Sequence, residues 1–141
     1  MTKAPSYDEC NCFALRQAAR YVTQIYERHM ASLNLSAAQF TILAKLSRLP
    51  GSTILQLAES MVMDRTTLVR ALKPLQREGL IVTETSETDA RTFVFSLSDS
   101  GLSKLELAYV AWKAAQNEFE KSFGRDRAKA LRGELFSVRA A

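Results

Sequence analysis

Hydroxyl and basic side chains recur at helical spacing between residues 64 and 77, where they could contact base edges and phosphates of a nucleic acid. Thr66, Arg70, Lys73 and Arg77 follow one another at intervals of three or four residues, which aligns them along one face of a helix. Arginine, lysine and threonine are residue types that hydrogen-bond base edges and phosphate oxygens. This face therefore predicts recognition of a nucleic acid by hydrogen bonds and charge.

The helix that must hold these side chains is predicted to begin after Asp64, a favourable N-cap residue. Leucines at i, i+4 and i+7 spacing give it a face for the core; they are Leu68, Leu72 and Leu75. An earlier helix is predicted from Thr53, because a hydroxyl three residues before Gln56 can close a capping box. The two helices are joined by a tight turn, and Gly79 can end the second one in a left-handed conformation.

Two segments of β-branched and aromatic residues, 80–85 and 92–97, then flank a polar loop that ends in Arg91. Two short helices followed by such a hairpin are the order of a winged helix-turn-helix, which places one helix in the DNA major groove. We expect base-edge contacts from Thr66, Thr67 and Arg70. We expect phosphate or wing contacts from Arg65, Lys73, Arg77 and Arg91.

Positive charge is concentrated on the predicted recognition helix rather than spread over the module. Residues 53–97 carry five basic and six acidic side chains, whereas residues 65–77 carry four basic and none acidic. The chain as a whole has 141 residues and a net charge of +4, which fits a polyanion partner. A solvated helix face would have the same local pattern, so charge alone leaves both interpretations open.

Long amphipathic helices flank the module and predict a dimer. Apolar stripes run along residues 13–33 and 99–123, and a final helix is expected at 126–138. We predict a mainly α, single-domain chain (1–141) with a small two-stranded wing. Its winged-helix lobe spans 36–97 and begins with a helix that is predicted from a capping box of Ser36 and Gln39. Residues 8–33 with 99–141 form the dimerisation helices. The dimerisation residues are expected to include Leu15, Val22, Leu105, Trp112, Phe119 and Phe123. Packing of both stripes within one monomer is the alternative.

Several other classes of protein are disfavoured by composition. No apolar run approaches the roughly 20 residues that span a bilayer, and the N-terminus lacks the apolar core of a secretion signal, so we expect a cytoplasmic protein with no membrane partner. Cys10 and Cys12 are too few and too close for a disulfide framework. Together with His29 they lack the spacing of a structural zinc site, so no metal or cofactor is expected.

The chain resembles the MarR (multiple antibiotic resistance regulator) family of dimeric winged-helix transcription regulators along nearly its whole length. The resemblance is carried by residues 57–59, 63–68, 75–80, 89–91 and 97–101, in this order and spacing. It implies a homodimer on a palindromic double-stranded operator, acting as a repressor. The family usually has glycine where this chain has Val62, and a β-branched residue disfavours positive φ, so we expect the turn to differ locally.

Residues 12–39 are similar to the organic-hydroperoxide-sensing branch of that family. The resemblance implies that Cys12 is a redox sensor for organic peroxide, with Tyr26 bonding its thiolate across the dimer. An oxidised Cys12 would stop at sulfenic acid, pair with Cys10 or a small thiol, or cross-link two subunits. The match weakens at Ala37, where that branch has a second tyrosine. The alternative, which residue chemistry alone favours, is that both cysteines are ordinary residues near a chain terminus.

If the thiols are inert, the resemblance implies control by a small aromatic ligand. Tyr26, His29, Phe40 and Trp112 are candidates to line its pocket, and all are equally suited to a core. The function expected is therefore a sequence-specific DNA-binding regulator released by a ligand or by thiol oxidation, and not an enzyme. Two alternatives are a thiol-dependent redox enzyme using Cys12 and a winged-helix protein–protein adaptor.

Overall fold

The computed structural model describes residues 2–139, which contain six α-helices and three β-strands. The helices are α1 (Asn11–Met30), α2 (Ala37–Arg48), α3 (Ile54–Met61), α4 (Arg65–Arg77), α5 (Asp99–Phe123) and α6 (Arg125–Ser137). The strands are β1 (Ser52–Thr53), β2 (Ile81–Thr85) and β3 (Phe93–Leu97). Short 3-10 turns lie at Tyr7–Glu9 and Ala31–Leu33.

Local side-chain caps fix where the helices of the winged-helix lobe begin. Ser36 accepts the Gln39 amide at the start of α2 while the Gln39 side chain bonds the Ser36 amide. Thr53 and Gln56 form the same reciprocal box at the start of α3. Each box satisfies two amides that have no partner within the helix, and both lie where the sequence predicts them.

The wing is a three-stranded antiparallel sheet in the order β1-β3-β2, one strand more than predicted. β2 pairs along β3 from Ile81 opposite Leu97 to Thr85 opposite Phe93. β1 adds only two residues, with Ser52 opposite Phe95, and the Gly51 amide donates to the Phe95 carbonyl at 3.0 Å. Two residues show no alternation, so sequence periodicity could not reveal β1.

By their backbone contacts, the residues divide into two units, 30–110 and 1–29 with 111–141. The first unit holds the winged helix, and the predicted leucine face of α4 is confirmed as core: Leu68, Leu72 and Leu75 are fully buried there. The same core contains Ile42, Leu43 and Leu46 of α2.

The second unit consists of most of α1, the later part of α5 and all of α6. Ala115 and Ala128 are buried in it, while the side chains of residues 11–20 are all exposed. A groove of about 690 Å³ remains open in this unit, lined by small and apolar side chains that include Leu15, Val22 and Phe119. None of the described helices is both long and apolar enough to cross a bilayer.

The turn between α3 and α4 does not depart from a left-handed conformation, contrary to expectation. Val62 has φ 50° and ψ 50°, and its amide bonds back to the carbonyl of Glu59 at 3.2 Å. The last carbonyls of α3 are satisfied only when the residue after the helix is left-handed. Val62 therefore adopts this conformation although it is β-branched. The side chain of Val62 points away from the core, since the residue is 95% exposed.

Candidate nucleic-acid interface

Helix α4 is built with one buried face and one free basic face. Its leucines are in the core, while Arg65, Arg70, Lys73 and Arg77 are exposed. Thr66 and Thr67 are exposed on its first turn. The structure thus leaves every side chain predicted to contact DNA from this helix accessible, and the four cations follow one another with no acidic residue between them.

The N-terminus of α4 is fastened by Asp64, which bonds Thr67 twice. One carboxylate oxygen, Oδ1, accepts the Thr67 amide at 2.8 Å, and Oδ2 accepts the Thr67 hydroxyl at 2.8 Å. These bonds, the backbone one first, lower the pKa of Asp64. The sequence predicted the backbone cap; it gave no indication that the hydroxyl of Thr67, a predicted base contact, is also engaged.

The polar loop of the wing is shaped by Asp89. Its carboxylate accepts the Arg91 amide at 3.0 Å and the Thr92 hydroxyl at 3.2 Å, and its carbonyl accepts the Thr92 amide at 3.0 Å. The guanidinium of Arg91 lies 3.8 Å from the same carboxylate, with its side chain 96% exposed. An exposed pair of this kind contributes little stability, so Arg91 can exchange Asp89 for a phosphate at small cost.

The net charge of the two units differs. Residues 30–110 carry eight basic and eight acidic side chains, so the unit that holds the winged helix is neutral. The surplus of +4 lies in the other unit. Attraction to a polyanion by this lobe must therefore come from the local arrangement on α4 and the wing rather than from net charge.

The cysteines lie at the start of α1 in different roles. The Sγ atom of Cys10 accepts the Phe13 amide at 3.3 Å, so Cys10 occupies the capping position. Cys12 is the second residue of the helix and is exposed. Within residues 2–139 no group of three His, Cys, Asp or Glu side chains could hold a metal ion.

The four residues predicted to line a ligand pocket have separate surroundings. Tyr26 lies on the groove of the helical unit, where burial, and then the charge of Glu120, raise the pKa of its phenol. His29 Nε2 lies 3.1 Å from Glu118 Oε1. Trp112 and Phe40 are half-buried, Phe40 in the unit that holds the winged helix.

An ion cluster that the sequence did not predict joins α1 to α5. Arg28 forms two parallel bonds with Glu118, at 2.8 and 2.9 Å, and His29 approaches the same carboxylate. The bonds from Arg28 and then His29 hold the pKa of Glu118 at about 2. Arg28 and His29 lie 90 and 89 positions before Glu118 in the chain, so no local pattern marks the cluster.

Among the predicted dimerisation residues, Leu15, Val22 and Phe119 lie on the open groove. Phe119 stacks on Phe123, with ring centroids 5.4 Å apart. Trp112 belongs to the same unit, whereas Leu105 belongs to the unit that holds the winged helix.

Residues 35–93 match the sequence profile of the MarR family. The organic hydroperoxide resistance transcriptional regulator of Bacillus subtilis is 31% identical over 90 residues, which are 64% of this chain and 61% of that protein. A second curated relative matches over 51% of its own length. The chain thus spans between half and two thirds of the length of these relatives.

Solved structures resemble this chain over almost its whole length. The repressor CouR bound to a 23-mer DNA duplex is 27% identical, with 97% of each chain covered and a TM-score of 0.86. CouR bound to p-coumaroyl-CoA is 25% identical, with 97% of this chain and 96% of that chain covered and a TM-score of 0.84. The regulator MosR of M. tuberculosis in complex with DNA is 32% identical, with 93% and 100% covered and a TM-score of 0.74. The predicted winged-helix fold is confirmed.

Proposed function

The chain belongs to the MarR family, and from this premise we propose that it is a homodimeric, sequence-specific DNA-binding repressor controlled by a chemical signal. The observation that carries the proposal is the exposed face of α4, with four cations and no acidic side chain. Two relatives of this fold, at 27% and 32% identity, are described in complex with DNA. In this proposal the protein acts in the cytoplasm, as a regulator and not as an enzyme.

Recognition would divide between two kinds of contact. Thr66, Thr67 and Arg70, on the first two turns of α4, would meet base edges in the major groove. The remaining cations would meet phosphates, and they are Arg65, Lys73, Arg77 and, from the wing, Arg91. Because the lobe is neutral overall, each of these contacts should contribute a measurable share of the affinity.

A second copy of the chain is the partner that we propose for the open groove on the helical unit. The groove is mostly apolar, and Leu135 and Phe136 of α6, which are 43% and 73% exposed, border it. Exposed apolar surface of this extent is typical of an interface. A two-fold dimer would present two α4 helices to successive major grooves, about 34 Å apart, and so would read a palindrome.

The signal that we propose first is a small amphiphilic ligand with an aromatic group. The support is that CouR, 25% identical over almost the whole chain, is described bound to p-coumaroyl-CoA. Tyr26, His29, Phe40 and Trp112 remain our candidates for contact with such a ligand. A ligand that binds one dimer geometry more tightly would shift the population away from the geometry that matches successive grooves.

Thiol oxidation by an organic hydroperoxide is the second candidate signal. It is supported by the position of Cys10 at the start of α1, where its Sγ accepts the Phe13 amide. The 31% identical Bacillus subtilis relative is named for organic hydroperoxide resistance. Cys12 remains a candidate sensor because it is exposed on the first turn of the same helix.

The proposal is tested by measuring affinity for an operator selected from random duplexes, with the wild-type chain and the variant Arg70→Ala. Loss of a base contact should weaken binding about 5- to 150-fold and relax base choice, as expected for about 1–3 kcal/mol. Lys129→Ala, which removes an exposed cation from α6, is the control and should leave affinity unchanged.

Salt dependence separates DNA binding from a role as a protein adaptor. Phosphate contacts make affinity fall steeply with salt, and Arg91→Ala should reduce that slope while weakening all sequences evenly. Binding indifferent to salt, or an Arg70→Ala variant that keeps wild-type base choice, would contradict the proposal. The same assay with organic hydroperoxide and then reductant distinguishes thiol control from control by a ligand.

A further inference from the structure

The hydroxyl group of Thr67 is already committed to one hydrogen bond. It donates to Oδ2 of Asp64 at 2.8 Å, while the other oxygen of that carboxylate accepts the Thr67 amide. The neighbouring hydroxyl of Thr66 makes no hydrogen bond to any residue between 2 and 139. Two adjacent threonines on the exposed start of α4 therefore differ in what they can offer to a partner.

A hydroxyl has one hydrogen to donate and lone pairs that accept, whereas an ionised carboxylate can only accept. The bonds from Thr67 lower the pKa of Asp64, so its carboxylate is ionised at neutral pH. The hydrogen on Oγ1 of Thr67 must then point toward Asp64. Towards a third group, Thr67 can act as an acceptor and not as a donor, while Thr66 can do either.

In the major groove, hydrogen-bond donors and acceptors are different atoms, and adenine is the base that presents one of each. The donors are the exocyclic amino groups of adenine (N6) and cytosine (N4), and the acceptors are N7 of purines, O6 of guanine and O4 of thymine. We propose that Asp64 restricts the Thr67 hydroxyl to accepting a hydrogen bond from a base, so that Thr67 selects a base that presents an amino group. This inference rests on the proposed function, because it requires α4 to meet base edges.

The cap alone does not explain a carboxylate at this position. Asparagine and serine cap helices about as well as aspartate, and neither adds a negative charge beside DNA phosphates. What aspartate adds is a second acceptor, and in this structure that acceptor holds the hydroxyl of Thr67. Asp64 is thus a positioning residue that acts through Thr67.

The test begins with duplexes selected from a random pool by the wild-type protein. Each adenine of the selected site is then replaced by purine, and each cytosine by an analogue without its amino group. At one position in each half-site, loss of the amino group should weaken wild-type binding about threefold to tenfold, the range for one neutral hydrogen bond. Thr67→Val should be insensitive to that replacement, whereas Thr66→Val should keep the wild-type sensitivity.

Asp64→Asn provides a readout that a purely structural role would not move. The amide oxygen can still accept the Thr67 amide, while its NH₂ group donates to the Thr67 hydroxyl and frees the hydrogen of that hydroxyl. Binding by Asp64→Asn should therefore no longer depend on the amino group at this position. Bases that present an acceptor should be selected there, namely guanine, thymine and, through N7, adenine, and cytosine should be disfavoured. Asp64→Ser, which keeps a cap but lacks the second acceptor, should relax the same position, and circular dichroism checks that both variants fold.

Two results would overturn the inference while leaving the proposed function intact. One is wild-type binding that is unchanged by every amino-group removal, and the other is an Asp64→Asn variant that folds and remains as sensitive to amino-group removal as the wild type. A wild-type chain that enriches no sequence from the pool would refute the proposed function and the inference together.

Discussion

Replacing Val62 with glycine is expected to stabilise the winged-helix lobe. Val62 adopts a left-handed conformation, φ 50° and ψ 50°, at the end of α3. In this region Cβ approaches the following carbonyl oxygen, which costs an L-residue about 1–2 kcal/mol. Glycine has no Cβ and is the residue most often found at this position after a helix.

The size of the gain follows from three quantities. Relief of the left-handed strain contributes about 1–2 kcal/mol. The greater freedom of glycine in the unfolded chain subtracts about 0.5–1 kcal/mol. Loss of packing is negligible, because Val62 is 95% exposed. The middle values of these ranges predict a rise of about 0.5–1 kcal/mol in the free energy of unfolding, equivalent to an increase in Tm of about 1–4 °C in a chain of this length.

Urea unfolding followed by far-ultraviolet circular dichroism measures this change. Protein concentration must be held constant, because the apparent stability of a dimer depends on it. Asn34→Gly is a matched control: Asn34 is also left-handed, with φ 56°, but asparagine tolerates that region, so its gain should be near zero. Val62→Ala retains Cβ and should gain little.

Equal effects of glycine at positions 62 and 34 would refute the strain argument, and so would a Val62→Gly variant no more stable than wild type. The urea midpoint should shift without a change in the slope m, since no additional surface is exposed. A changed slope would mean that the substitution acts on the unfolded chain or on cooperativity rather than on the turn.

Two further predictions concern stability. Arg28 and His29 hold the pKa of Glu118 at about 2, below its ordinary 4.5, so this carboxylate stabilises the fold above pH 4.5 and loses that effect as pH falls towards 2. In urea unfolding, the difference in the free energy of unfolding between wild type and Glu118→Gln should shrink as the pH falls. Glu106→Gln, on the same helix, is the control. A difference that does not change with pH would contradict this prediction. Gly101→Ala should lower the free energy of unfolding by about 1–3 kcal/mol, because the added methyl overlaps the backbone carbonyl of Leu80. Gly133 lies within α6 with open space around it, so Gly133→Ala should raise the free energy of unfolding by about 0.5–1 kcal/mol. Thermal unfolding measures both variants. Equal responses at the two glycines would contradict the reasoning.

Sequence predicted those parts of the fold that depend on neighbours along the chain. The boxes at Ser36 and Thr53 and the cap at Asp64 each involve residues three positions apart, and all three form as predicted. β1 was missed because it exists only through pairing with β3, more than 40 positions later. The turn at Val62 was mispredicted because the needs of the helix end outweigh the preference of one residue.

The candidate site, like the fold, has features that the sequence predicted and features that it could not predict. Helical spacing predicted which side chains of α4 share a face, because the period of a helix is fixed. It could not predict that the Thr67 hydroxyl is engaged, since this depends on the rotamers of Asp64 and Thr67. Nor could it predict that Cys10 rather than Cys12 caps α1, because that depends on the residue at which the helix begins.

The start of α5 is fastened to the end of α4. The Ser98 hydroxyl donates to the Gly79 carbonyl at 2.5 Å, the Ser98 amide donates to the Leu80 carbonyl at 3.1 Å, and Gly101 packs against that carbonyl with no room for a side chain. α5 is also one unbroken helix of 25 residues, and it continues from one unit of the chain into the other. A displacement of the first turn of α5 would therefore pull on Gly79 and Leu80, and so on the end of α4, with no loop between them to absorb it.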